Sequence, residues 1–227
     1  MKLSKSRLIK LLKPSLEALG YKEFKDSILG CQGCFCKKVE NDYYLTLGMI
    51  IHRYYDYAFT GEFYLSKTTR WSTVWGDIPK KSFERPGYFL TQEELASYKE
   101  DLVNVSGNPD IWWNGGDEQS VIKFLDTIKL TEVRFLRQPN LIKEISQSKI
   151  VEKMYLYGKE TERLVRKGKL EEVFKFVPSK EKDDIPVEWF KASEIVLRRN
   201  NAILNSRTVA LLAADAFKRH HLDNEFN

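Results

Sequence analysis

Histidine and cysteine are both scarce in this sequence, three of each in 227 residues, and that scarcity bounds the chemistry before any fold is drawn. Cys31, Cys34 and Cys36 crowd into one short stretch, and no distant cysteine knuckle supplies the second ligand pair of a structural zinc site. His52 or a carboxylate would have to complete the set, so no metal is expected there. Side chains two apart on an extended strand point the same way while their backbone stays stretched, which argues against a Cys34–Cys36 disulfide. Three unbridged thiols fit a reducing compartment. Long apolar runs are missing too: nothing approaches the roughly 20 residues of a membrane span. Met1 opens a lysine-rich amphipathic segment, so no secretory signal is expected and the setting is read as cytoplasmic.

Familiar catalytic signatures are equally absent. There is no phosphate-binding glycine loop, serine elbow, metalloprotease helix or kinase motif. Gly115-Gly116 lacks the third glycine and the lysine that such loops use. No catalytic residue and no cofactor is therefore assigned, and a non-enzymatic protein is favoured. His52 is the one candidate general base. It would need an acid such as Asp56 or Glu62 beside it to act in a hydrolase or nuclease. His220 and His221, with Asp215 and Asp223, make a weaker metal suggestion near a C-terminus expected to fray.

Charge is mild, a net +5 with a pI near 8.9. The basic runs Lys2, Lys5, Arg7, Lys10, Lys13 and Arg163, Arg166, Lys167, Lys169 alternate with apolar residues, as on a solvated helix face. A nucleic-acid-associated protein, using those helices and stacking aromatics, is the second reading.

What is present is a strong period-two pattern from Phe35 to Ser66. Tyr43, Leu45, Leu47, Met49 and Ile51, then Tyr57, Phe59, Phe63 and Leu65, fall on alternate positions. Thr46, Gly48, Asp56, Thr60, Glu62 and Ser66 fill most of the other face. This predicts an antiparallel meander with one buried and one polar face, reversing near Arg53–Asp56. Leu8, Leu11, Leu12, Leu16 and Leu19 predict an amphipathic first helix interrupted at Pro14, its leucines covering the odd-numbered face of the sheet. Thr91 to Glu94 is a capping box stapled by Leu90 and Leu95, opening a helix from about Gln92 to Val103. A strand or edge segment is expected at 68–77 and a loop at 82–90. Asp117 should cap a helix, and of Trp112 and Trp113 one should be core and the other rim. From Pro139 the pattern is helical. Gly158 and Gly168 bracket a charged helix, 179–186 reads as a linker, and two further helices follow near 187–200 and 207–219. The fold class is α+β, with an α+β domain at 1–138 and a helical region at 139–227.

Gly20-Tyr21 after the leucine helix, Leu47-Gly48 in the meander, Asp110-x-Trp112-Trp113 and Phe135-Leu136 give an order of elements that resembles a family of uncharacterised bacterial single domains. That family is similar in plan to toxin-immunity and other conflict-system proteins, and the resemblance spans about residues 4–136. It implies a non-catalytic binding protein of immunity or defence type and assigns no residue a role. The residues themselves point to a protein partner. Arg53, Tyr54, Tyr55, Asp56 and Tyr57 gather aromatic and charged groups at one reversal, and Trp71 and Trp75 follow in the next segment. The alanines of the last helix, Ala210, Ala213, Ala214 and Ala216, suit close approach of a neighbour, and self-association through the C-terminal helices is a further expectation.

Overall fold

A computed structural model of the chain describes residues 3–24, 31–40, 42–67, 82–98, 103–146, 148–168, 170 and 185–226. The chain is α+β: a first helix, an antiparallel sheet, then helices. It divides into two units, residues 1–65 with 79–145 and residues 66–78 with 146–227. The sequence suggested a boundary at 138; the division falls after Ile145 and gives a piece of the first half to the second unit.

In the first unit, Ser4 caps α1 (Lys5–Ala18) by accepting from the Arg7 amide. Pro14 lies inside α1 without breaking it, contrary to the expected interruption, and the buried stripe Leu8, Leu12, Leu16 continues across the proline. The sheet has the order β1-β2-β3-β4-β5, with β1 (Lys22–Phe24), β2 (Gly33–Lys38), β3 (Tyr44–Ile51), β4 (Ala58–Ser66) and β5 (Phe83–Glu84). A two-residue β6 (Trp113–Asn114) also pairs with β4, Phe59 facing Trp113, while β5 pairs Phe63 and Tyr64 further along. Phe35 faces Leu47 and Cys34 faces Gly48 across β2 and β3.

The odd-numbered face is core, as predicted, but α1 shares it with α3 (Glu118–Leu136), which Asp117 caps by accepting from the Gln119 amide. Phe124 of α3 meets Phe59 and Trp113, each at 5.0 Å, and Phe135 stacks on Phe63 at 5.3 Å. The other face is not the polar surface expected. Cys34, Cys36, Tyr44, Thr46, Thr60 and Tyr64 are all buried, and Tyr64 stacks on Phe83. Small and hydroxylated residues on the second face fit a doubly covered sheet as well as a wetted one, because Thr and Cys pack as compact groups.

The remaining elements of this unit correct two local expectations. Residues 82–90 are not plain loop but β5 followed by a 3-10 turn at Pro86–Phe89. The capping box at Thr91 and Glu94 is present, but α2 is described only over Gln92–Ala96, with a turn at Ser97. Residues 99–102, the 68–77 segment and most of the 179–186 linker lie outside the described residues. The short α4 (Leu141–Ser146) begins at the end of this unit, burying Leu141 and Ile145.

The second unit packs α5 (Lys149–Lys167), α6 (Val187–Arg199) and α7 (Ser206–Phe226) around Leu164, Trp189, Ile195, Val196, Val209 and Leu212. Gly158 does not end a helix as expected. It sits inside α5, where an added Cβ would meet Asp215 Oδ2 only at an ordinary contact distance of 3.8 Å. Gly168, in the left-handed region at φ 63°, is the true stop. Ala213, Ala214 and Ala216 are buried, and Ala213 and Ala216 pack within this core. Where fraying was expected from Leu222 onward, the described residues are helical: α7 continues to Phe226 and Leu222 is buried. Among the described residues, no helix is long and apolar enough to cross a membrane.

Candidate functional site

The turn joining β3 to β4 brings aromatic side chains out of the core. Its backbone is bound at nearly every step. His52 N donates to the Ala58 carbonyl at 2.8 Å and Ala58 N to the Tyr55 carbonyl at 2.9 Å. Leu3 N donates to the Asp56 carbonyl at 2.7 Å, and Gly115 N to the Tyr57 carbonyl at 2.9 Å. Inside the turn, His52 Nδ1 accepts from the amides of Tyr54 at 3.0 Å and Tyr55 at 3.1 Å.

On this frame Tyr54 is 76% exposed, with the Arg53 guanidinium 5.5 Å from its ring. Arg53 and Asp56 are exposed, and Tyr55 and Tyr57 are half-buried with their rings 6.2 Å apart. Five of the seven residues expected at a partner surface therefore lie on one turn. Trp71 and Trp75 lie outside the described residues.

Sequence reasoning missed how the strip continues. The His52 ring meets Trp112 edge-on at 4.5 Å, and the Tyr55 ring lies tilted against the same imidazole at 4.8 Å. Trp112 is the half-buried rim member of its pair and Trp113 the core member, 2% exposed, as the alternation of an extended segment required. Asn104 grips the Trp112 backbone both ways: its Oδ1 accepts from Trp112 N at 2.7 Å and its Nδ2 donates to Trp112 O at 2.8 Å. Arg85 lies 4.9 Å over the Trp112 ring and pairs with Asp110. The signal for Arg85 and Asn104 was weak, because each is ordinary in its own neighbourhood and only the fold brings it to Trp112.

The Nδ1 lone pair of His52 is occupied by two backbone amides. Glu62 accepts from Tyr64 Oη at 2.5 Å, and burial raises its carboxyl above the ordinary range. Cys31 Sγ lies 3.9 Å from the same Tyr64 hydroxyl. Burial pushes the Cys31 and Cys36 thiols up to about 12, away from the thiolate that metal binding or nucleophilic attack requires.

In the second unit, the His220, His221, Asp215 and Asp223 suggestion dissolves because their spacing along α7 sends them to different neighbours. His220 Nδ1 bonds Glu162 at 3.0 Å, His221 packs edge-on to Phe217 at 4.9 Å, Asp215 lies by Gly158, and Asp223 pairs with Lys159. Among the described residues, no three His, Cys, Asp or Glu side chains are grouped to hold a metal ion. The basic helices carry their own counter-charges: Lys13 pairs with Glu17 and Glu23, Arg163 with Glu160, and Arg166 with Glu162. Comparison with protein families, with characterised proteins and with solved structures gives no match to this chain.

Proposed function

We propose that this chain is a non-catalytic protein-binding module whose contact surface is the β3–β4 turn, with Tyr54 at its centre and Trp112 at its flank. The observation that carries the reading is an aromatic ring 76% exposed on a backbone fixed by hydrogen bonds. A large exposed aromatic side chain offers contact area with little rotamer freedom to lose. A turn already ordered lowers the entropic cost of docking further. Arg53 and Asp56 beside it supply charge of both signs at the rim, where it sets orientation rather than affinity. Given the sequence resemblance to immunity and conflict-system proteins, a bacterial toxin in the cytoplasm is the first class of partner to try.

The test compares capture by wild-type protein and by Tyr54→Ala. One stoichiometric protein retained by the wild type should bind the variant about 30-fold more weakly, the cost of removing a hot-spot aromatic. Absence of a stoichiometric partner, or equal retention by both, would overturn the reading. Binding should change little between low and high salt. A steep loss with salt, together with sensitivity to nuclease, would move the assignment to nucleic acid.

A further inference from the structure

We infer that His52 is the positioning residue of this turn, and that protonating it releases the turn. An Asx side chain is the usual group to accept from amides two and three residues on, and its oxygen accepts whatever the pH near neutrality. Here an imidazole does that work, with Nδ1 3.0 Å from Tyr54 N and 3.1 Å from Tyr55 N. Two donors aimed at one ring nitrogen require a lone pair on it. The proton of the neutral ring therefore sits on Nε2. Adding a proton at Nδ1 turns the acceptor into a donor facing two donors, and both bonds are lost together.

The groups around the ring come from the turn and from the segment packed on it. From the turn itself Arg53 and Asp56 are exposed, and Tyr54, Tyr55 and Tyr57 add their rings. From the segment packed against it comes Trp112, with Arg85 over its ring and Asp110 on Arg85. The imidazole is half-buried, so water reaches it. The ring packs 4.5 Å from Trp112, whose indole also carries Arg85. The part that moves is the backbone of Tyr54 and Tyr55, which carries the exposed ring. The functional weight of this inference rests on the protein-binding reading, whereas its structural claim needs no partner.

The experiment follows the imidazole nitrogens of His52 and the hydrogen exchange of the Tyr54 and Tyr55 amides by nuclear magnetic resonance. It spans about pH 8 to 5, the range in which imidazoles gain charge. Rates are taken relative to the unstructured chain at each pH. Protection of both amides should fall at least about tenfold, in step with the imidazole signals, the size expected for two lost hydrogen bonds. His52→Asn, which keeps an acceptor that does not titrate, should leave both amides protected throughout. His52→Phe, which keeps a ring against Trp112 and no acceptor, should leave both exchanging fast throughout. Unchanged protection while the His52 signals report a charged ring overturns the inference, and so does full protection in His52→Phe. Should the variants not fold, the wild-type titration decides alone. If the latch holds and no partner is found, the protein-binding reading fails by itself. If a partner depends on Tyr54 but protection ignores the proton, only the latch fails.

Discussion

Glu94 serves three contacts with one carboxylate. It closes the capping box by accepting from Thr91 N at 2.7 Å and takes a two-pronged Arg134 guanidinium at 2.6 and 2.9 Å. Those bonds, Arg134 first and the Thr91 amide second, hold its carboxyl at about 2, against an ordinary 4.5. A folded-state value below the unfolded one means stability present above the ordinary value and lost as pH falls from 4.5 toward 2. Glu94→Gln should therefore cost about 1 kcal/mol at neutral pH, a figure reduced for solvent screening, and nearly nothing at about pH 2. Urea unfolding of both proteins at the two pH values checks it. Glu132 is a second such residue, accepting from Tyr21 Oη at 2.8 Å and pairing with Lys37. Burial first, then Glu132, raises the Tyr21 hydroxyl well above its ordinary range, so it remains a donor. Glu132→Ala should cost about 2–4 kcal/mol by stranding both partners, measured as a fall in the urea midpoint at neutral pH. The capping box was legible in the sequence because its parts are three residues apart. Arg134 and Lys37 were not, since nothing local connects them to the carboxylates they meet.

At the scale of elements, alternation located the strands of the meander and the odd-numbered core, but it misjudged the opposite face. Period two reports which residues share a side, and says nothing about what covers that side. Pro14 and Gly158 misled for a related reason: helix breakers act through local propensity, and packing overrides it, as where the buried leucine stripe of α1 runs on past Pro14. The aromatic turn was legible as a cluster, whereas its support by Trp112, Arg85 and Asn104 depends on the return of the 104–114 segment to β4. Gly87 governs that return. A Cβ there would overlap the Pro109 carbonyl oxygen, a backbone atom that cannot rotate aside. Gly87→Ala should lower stability by about 1–3 kcal/mol in denaturant titration and disturb the Trp112 indole signal in the same samples. Phe124→Ala, removing the ring between Phe59 and Trp113, should cost about 3–5 kcal/mol by the same measurement.

For the whole molecule, the second unit is discontinuous in sequence, which no compositional signal announced. Its described portion of the inserted segment is short but anchored. Arg219, 2% exposed on α7, donates to the Lys67 carbonyl at 2.7 Å and lies 4.1 Å over the Tyr155 ring, while Lys67 pairs with Glu152 at 3.4 Å. A fragment starting at Ser146 loses the Lys67 carbonyl and leaves a buried guanidinium short of an acceptor. Its α7 amides should exchange faster than in the full chain, by the equivalent of about 1–3 kcal/mol. The buried cysteines have a practical corollary of their own. With Cys31, Cys34 and Cys36 at most 4% exposed, an alkylating reagent meets no target until the sheet parts. The rate at which label accumulates then becomes an internal stopwatch for opening of the β2–β3 pair, and a cysteine placed at Tyr54 would accept a fluorophore while the native three stay silent.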